Sequence, residues 1–228
     1  MHIGSPWAEA LAALLAYLVG GIPFGWLAAR ALKGVDLRTV GSGNIGATNA
    51  SRLWLGKASI LVFVAVFLLD CFKGFCAAHW SSSLGGWLAS RPLGTGEAEG
   101  LQIACGAAAL LGHVFTPWLR FKGGKGVATA LGVVTALAPW SSVYALGVWA
   151  VLVLLTRYMS LGSIVAVLSI PLTYLLQRGE QAWTQHPAAL AFLVLMAVVV
   201  VWRHRDNIRR LVQGSERRIG DPSQLSAR

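Results

Sequence analysis

The sequence predicts an all-α integral membrane protein, a bundle of seven transmembrane helices of which two are short. Three observations carry this expectation. Of 228 residues, 56% are hydrophobic and 12% charged, at a mean hydropathy of +0.63, and several apolar stretches exceed what a soluble core helix needs. Tryptophans mark many of the stretch ends, at Trp7, Trp54, Trp80, Trp118, Trp140, Trp183 and Trp202, where amphipathic rings favour the lipid–water interface. The lysines and arginines, finally, crowd one face. A single transmembrane domain over 1–228 is expected, with no room for a second. No basic n-region precedes the first apolar stretch, so a cleaved signal peptide is not expected.

The apolar segments run about 7–29, 54–78, 101–119, 126–139, 141–156, 160–176 and 187–203. In the first, Pro23 among Gly20, Gly21 and Gly25 predicts a kink with close helix packing. The second carries Asp70 and Lys73 at i, i+3. It enters from the basic side with Asp70 roughly 24 Å along it, so an internal ion pair in the outer half of the bundle is expected. In the third, His113 lies about two turns before a basic loop and reads as a structural hydrogen-bonding group close to the site. The fourth and fifth would each span roughly 21–24 Å, less than a ~30 Å hydrocarbon core. A straight helix through both would reach roughly 46 Å, too long for one crossing. Pro139 with Trp140, Ser141 and Ser142 breaks them, giving two short spans or two re-entrant halves of the same parity.

With seven spans, the loops after the first, third and fifth share a face with the C-terminal tail. That face carries 16 of the 19 lysines and arginines, among them Arg52, Lys122, Lys125, Arg217, Arg218 and Arg228. The opposite face has Arg91 and Arg178, and Lys73 is inside a span. The positive-inside rule therefore puts the C-terminus in the cytoplasm and the N-terminus outside. The same rule accounts for the net charge of +10, so nucleic acid is not an expected partner. Cys71, Cys76 and Cys105 fall in apolar segments without metal-ligand spacing and read as small buried hydrophobes.

Three motifs meet on the basic face. GSGNIGATNASR at 41–52 supplies close backbone approach through its glycines and polar groups from Ser42, Asn44, Thr48, Asn49 and Ser51, with Arg52 as a cation. FKGGKGVAT at 121–129 alternates lysine with glycine and opens a helix at Val127, an arrangement that favours a phosphate. RHRDNIRRLVQGSE at 203–216 spaces His204, Asn207 and Arg209 or Arg210 along a helix leaving the last span. A basic loop alone is a topology anchor, but topology does not call for glycine, asparagine and serine. The site is read as one for a small phosphorylated molecule.

Other patterns fail. Gly41-x-Gly43-x-x-Gly46 lacks the strand–turn–helix setting of a dinucleotide fingerprint, and neither glycine-rich loop fits a P-loop. There is no HExxH, and the five histidines are scattered, so neither a metal nor a cofactor is expected.

These three motifs, with GHVFTPWLRFKGGKGVAT at 112–129, IPFGWL at 22–27 and DCFKG at 70–74, resemble the bacterial acyl-phosphate-dependent glycerol-3-phosphate acyltransferases, in order and over nearly the whole chain. Ile45 stands where that family often has proline. The resemblance implies that acyl phosphate donates its acyl group to the 1-hydroxyl of glycerol 3-phosphate. The products are then lysophosphatidate and phosphate, in the first acylation of bacterial phospholipid synthesis. It implies catalytic roles for Ser42, Arg52, His204 and Asn207, and a structural one for Glu216. Substrate and phosphate contacts are then expected from Gly41, Gly43, Asn44, Gly46, Thr48, Asn49, Lys122, Gly123, Gly124, Lys125 and Gly126. The setting is the cytoplasmic (inner) membrane, with the site on the cytoplasmic face and an association with the soluble enzyme that makes acyl phosphate.

The chemistry agrees with that implication. An acyl phosphate is already activated, so positioning and charge stabilisation are the main requirements. The proton acceptor is open between His204 and the donor's own phosphate. Acyl-CoA-dependent relatives share an H-x-x-x-x-D pair. Here the residues five after His2, His79, His113, His186 and His204 are Trp7, Leu84, Trp118, Ala191 and Arg209, so that pair is absent.

Overall fold

The computed structural model describes residues 6–220, so His2, Asp221 and Arg228 lie outside the described residues. Among those residues there is no strand; every regular element is helical. The first apolar segment forms α1 (Pro6–Gly21) and α2 (Phe24–Lys33), broken at Ile22–Pro23, where proline has no N–H to continue the ladder. Gly34 closes α2 in the left-handed region at φ 69°, donating to Arg30 O at 3.1 Å. A loop and the short α3 (Ala47–Ser51) lead to α4 (Gly56–His79). Next come α5 (Ser81–Ala89), α6 (Thr95–Val114) and a 3₁₀ turn at Pro117–Leu119. The remaining helices are α7 (Val127–Leu137), α8 (Pro139–Thr156), α9 (Met159–Arg178), α10 (Gln181–Thr184), α11 (Pro187–Arg203) and α12 (Arg205–Val212).

Five stretches are long and apolar enough to cross a membrane: Pro6–Lys33, Gly56–His79, Thr95–Leu119, Pro139–Thr156 and Met159–Arg178. A sixth is α11 taken with α12, which bends away by 58°. The fourth apolar segment, α7, has 11 residues and rises only about 16 Å. The break before α8 falls where Pro139 was expected to place it, with proline in the first turn.

The third segment differs from its expected bounds. Its helix runs Thr95–Val114, and residues 115–126 fold back on its end. Thr116 Oγ1 donates to Gly21 O at 2.6 Å, and Tyr17 Oη donates to Phe115 O at 2.6 Å. These bonds occupy backbone carbonyls freed at the ends of α1 and α6. The second glycine-rich motif therefore re-enters the bundle, and α7 begins inside it.

Two helix crossings are close enough to require glycine. A Cβ on Gly112 would lie 2.1 Å from Tyr17 O where α6 crosses α1, and one on Gly74 would lie 2.3 Å from Thr129 O where α4 crosses α7. Small residues let backbones approach inside lipid, where packing replaces the hydrophobic effect as the associating force. The core between α6, α7, α9 and α11 is built from Leu110, Val133, Val134, Val167, Ile170, Leu193, Met196 and Val200. Outward positions are also apolar: Leu154 is 80% exposed and Leu61 69%, as a lipid-facing surface requires.

Candidate active site

The first motif is a loop shaped by one buried amide. Asn49 donates Nδ2 to Leu37 O, Val40 O and Asn44 O at 3.2, 3.1 and 2.9 Å, and its Oδ1 accepts from Ser42 N at 3.0 Å. Gly41 sits at φ +61°, and a Cβ there would lie 2.3 Å from Asn49 Oδ1. Asn44 Oδ1 accepts from Gly46 N at 2.8 Å, turning the chain into α3. Asn49 thus spends its polar atoms on the loop; what it contributes is shape, through which Ser42, Asn44, Thr48 and Arg52 come to face one cavity.

The second motif divides in two. Gly123 N donates to Val114 O at 3.2 Å and Gly124 N to His113 O at 3.0 Å. Their carbonyls accept from Arg203 Nη2 and Nε, both at 3.1 Å. Those N–H groups are spent, so Gly123 and Gly124 do not form the anion cradle expected of them, and neither lines the cavity. Lys122 is exposed and also lies off it, as does Gly43 in the first loop. Lys125, Gly126 and the start of α7 do line it.

The third motif begins at the corner between α11 and α12. His204 is buried there, its Nδ1 2.8 Å from Val200 O. A carbonyl only accepts, so Nδ1 carries the hydrogen and Nε2 is left as an acceptor. Asn207 accepts from Lys125 Nζ and donates Nδ2 to Glu216 Oε1 at 2.6 Å. Glu216 also accepts from Ser160 Oγ at 2.7 Å and from Arg210 Nε at 2.7 Å. A left-handed Gly214 at φ +68° folds the chain back so that Glu216 can reach this position.

The cavity has a volume of about 210 Å³, and its polar part is lined by Gly41, Ser42, Asn44, Gly46, Thr48, Asn49 and Arg52 from motif one. His113, Lys125, Gly126, His204, Asn207 and Glu216 join them. Three polar lining positions, Ser160, Ser163 and Arg217, did not follow from the motifs. Ser160 and Ser163 enter from the start of α9, where their i, i+3 spacing was the available signal. Arg210, and not Arg209, turns inward; Arg209 is exposed beside Asp206. Arg217, expected only to anchor topology, lines the cavity because the tail is clamped: Arg157 Nε donates to Ile219 O at 3.0 Å. Arg218 packs outside against Tyr158, its guanidinium 5.0 Å from the ring centroid. Asp70 also lines the cavity, with His113 between it and the loop of motif two, so it is not remote from the site as expected.

Beside the polar cavity runs an apolar groove, lined by Trp54, Leu55, Ile60 and Val153. Phe63, Trp149, Met159, Arg52 and Arg217 line both spaces. Phe63, Phe67 and Trp149 stack on one another, with centroids 5.9–6.4 Å apart.

The field in the polar cavity is positive. Burial lowers the Lys125 ammonium to about 8; Glu216 raises it, and Arg210, Arg52 and Arg203 lower it. Burial and Arg217 lower Arg52 as well, though a guanidinium stays charged. Burial would raise Glu216, but hydrogen bonds from Ser160, Asn207 and Arg210 outweigh it and hold the carboxyl below its usual value. At the corner where α12 bends away from α11, burial and Lys125 push the His204 imidazole down to about 4, so it is neutral near pH 7. The paired Glu216 leaves an excess of cations that suits two anionic groups.

Comparison with known proteins agrees. A family model described as "Glycerol-3-phosphate acyltransferase" matches residues 10–214. The chain is 45% identical to the glycerol-3-phosphate acyltransferase of Geobacter sulfurreducens, over 92% of this chain and 97% of that one. It is 41% identical to that of Agrobacterium fabrum, over 95% and 94%. Among solved structures, it is similar to PlsY (YgiH), an integral membrane glycerol 3-phosphate acyltransferase, in its glycerol 3-phosphate form. The TM-score is 0.75 at 38% identity, covering 96% of this chain and 98% of that one. The lysophosphatidic acid form of the same protein gives a TM-score of 0.74 at 37% identity, covering 95% and 98%. With three motifs in register on a helical membrane scaffold, this chain belongs to the glycerol-3-phosphate acyltransferase family, as a multi-pass integral membrane enzyme.

Proposed function

We propose that this enzyme takes its acyl group from acyl phosphate and transfers it to the 1-hydroxyl of glycerol 3-phosphate. The products are 1-acylglycerol 3-phosphate (lysophosphatidate) and inorganic phosphate, in the first step of bacterial phospholipid synthesis. The observation that carries this reading is the junction of the cation-lined cavity with the apolar groove at Phe63, Trp149 and Met159. An acyl phosphate has one apolar tail and one anionic head, meeting at the reacting carbon. The two spaces meet in the same way.

In the reaction, the acceptor oxygen forms a bond to the acyl carbon, and the bond from that carbon to the phosphate oxygen breaks. Arg52, Lys125, Arg210 and Arg217 hold the two phosphates and stabilise the leaving group. Ser42 supplies a hydroxyl from the first loop. His204 presents Nε2 to the acceptor hydroxyl and orients it; as a weak base it leaves the proton to the departing phosphate. Asn207, held in place by Glu216, aligns Lys125 directly. Gly41, Asn44, Gly46, Thr48 and Gly126 shape the walls, and no metal or cofactor is called on.

The domain is single, 1–228, and crosses the inner membrane seven times if α7 is counted. The N-terminus is then outside, and the cavity faces the cytoplasm, where the soluble enzyme producing acyl phosphate would hand over its product. The charge partition supports this orientation. The test is incubation of purified protein with acyl phosphate and glycerol 3-phosphate, followed by identification of the acylated position; 2-acyl product or no product counts against the proposal.

A further inference from the structure

Three ionisable groups are buried where α1, α4 and α6 come together. Asp70 and Lys73 of α4 are each 3% exposed and His113 of α6 is 5% exposed. Lys73 Nζ lies 2.7 Å from Asp70 Oδ1, and His113 Nδ1 lies 3.7 Å from the same oxygen. Charges in the apolar part of a bundle are costly, and an ion pair there is not by itself a source of stability. Packing could be met by apolar side chains, so the geometry should show what the polar groups hold.

Each branch leads to one glycine-rich loop. Lys73 Nζ donates to Ile22 O at 2.7 Å, at the break between α1 and α2. Ile22 lies between the two helices, and its carbonyl also accepts from Phe24 N at 3.2 Å. The same ammonium lies 5.5 Å from the centroid of Phe24, the first residue of α2. The next residue, Gly25, packs against the loop of motif one: a Cβ there would lie 2.2 Å from Ile45 O. On the other branch, the His113 ring lies against the loop of motif two, and a Cβ on Gly124 would lie 2.2 Å from His113 Nε2. The His113 carbonyl also accepts from Gly124 N at 3.0 Å. Gly124 directly precedes Lys125.

We infer that Asp70, Lys73 and His113 form a positioning junction that fixes the loops 41–49 and 123–126 relative to one another, so that Ser42 and Lys125 face the same substrate. The inference rests on those loops forming the substrate site. Asp70 is the hinge point: it holds Lys73 against the α1–α2 break and faces His113 under the second loop. None of the three is assigned contact with a reacting atom.

The test uses detergent-purified full-length protein and three readouts: melting temperature, glycerol 3-phosphate affinity by calorimetry, and kcat. The variant Asp70→Asn/Lys73→Met removes both charges, so no unpaired ion remains. It is expected to melt within a few degrees of wild type, yet bind glycerol 3-phosphate at least tenfold more weakly, with kcat reduced as well. Lys73→Arg keeps a cationic donor for Ile22 O and should retain more affinity than Lys73→Met. His113→Asn leaves the ion pair intact and serves if the double variant does not fold; it too should weaken binding without a matching loss of melting temperature. Wild-type affinity in a folded double variant, or in folded His113→Asn, would overturn the inference. So would losses of affinity that only follow melting temperature across the set. The binding arm contains no acyl donor, so failure of the wild type to use acyl phosphate would count against the donor reading alone.

Discussion

Lys125 and Asn207, 82 residues apart in sequence, are joined by a hydrogen bond from Nζ to Oδ1, and this bond links the second motif to the third. Asn207 is in turn held by Glu216. The lysine thus has a neutral acceptor that fixes its direction without cancelling its charge. Replacing Asn207 by aspartate tests this point. It would place a second carboxylate against Glu216, 2.6 Å from its Oε1, and neutralise Lys125. Asn207→Asp is expected to lose more turnover than Asn207→Ala, although it is closer in shape. The alanine variant should lose about 1–3 kcal/mol of transition-state stabilisation, the range for an interrupted buried hydrogen bond. Steady-state kinetics of the two variants decide the order.

The Lys125 ammonium has an alkaline limit. Its ordinary value falls to about 8 in the folded protein, so it loses its charge as pH rises through that value. Below it the cation is present and anion binding is at full strength. The kcat/KM of the wild type, which reports the free enzyme, should therefore decline above about pH 8. Lys125→Arg should remove that limb, whatever its absolute activity. A flat wild-type profile to pH 9.5 would contradict the assignment.

The arginines of the basic face are not equivalent. Arg52 and Arg217 line both the polar cavity and the apolar groove, whereas Arg218 rests on Tyr158 outside them. Loss of a charge-assisted phosphate contact is worth about 1.5–3 kcal/mol, or roughly tenfold to a hundredfold in rate. Arg52→Ala should lose at least that much. Arg217→Ala should lose nearer tenfold, and Arg218→Ala should stay within about twofold of wild type. Equal losses at all three would mean that turnover senses net charge and not a defined site. Protein level in membranes must be measured alongside.

The fold makes an independent prediction about sign. A glycine inside a helix ordinarily costs about 0.5–1 kcal/mol relative to alanine. Gly147 in α8 has open space beside it, so Gly147→Ala should raise the melting temperature. At Gly74 the added Cβ would meet the Thr129 carbonyl at 2.3 Å, so the same change should lower it. Thermal unfolding in detergent measures both.

The parts of this molecule legible in its sequence are those set by solvent. Lipid demands long apolar helices, and their presence, the kink at Pro23 and the break at Pro139 followed from composition and proline chemistry, although the third helix begins and ends earlier than its apolar run. The three motifs also converge, as their shared basic face implied. What was not legible depends on backbone carbonyls that seek partners across the fold. The return of residues 115–126 along α6 depends on Val114 and His113 accepting from Gly123 and Gly124. No local pattern encodes that choice, and it takes Gly123, Gly124 and Lys122 off the cavity. It also sets motif two against His113, which faces Asp70, a residue that depth counted along α4 alone put too far from the site. Arg217 moved from anchor to lining for a similar reason: the left-handed Gly214 and the clamp between Arg157 and Ile219 fold the tail back.

The central claim is that the donor carries its phosphate at the reacting carbon. It is tested most directly by giving purified protein glycerol 3-phosphate with either acyl phosphate or acyl-CoA of the same chain length, and counting lysophosphatidate and phosphate formed. One phosphate released per lysophosphatidate is expected from acyl phosphate, and no turnover of acyl-CoA above background. Comparable rates with acyl-CoA, or product formed without release of phosphate, would contradict it.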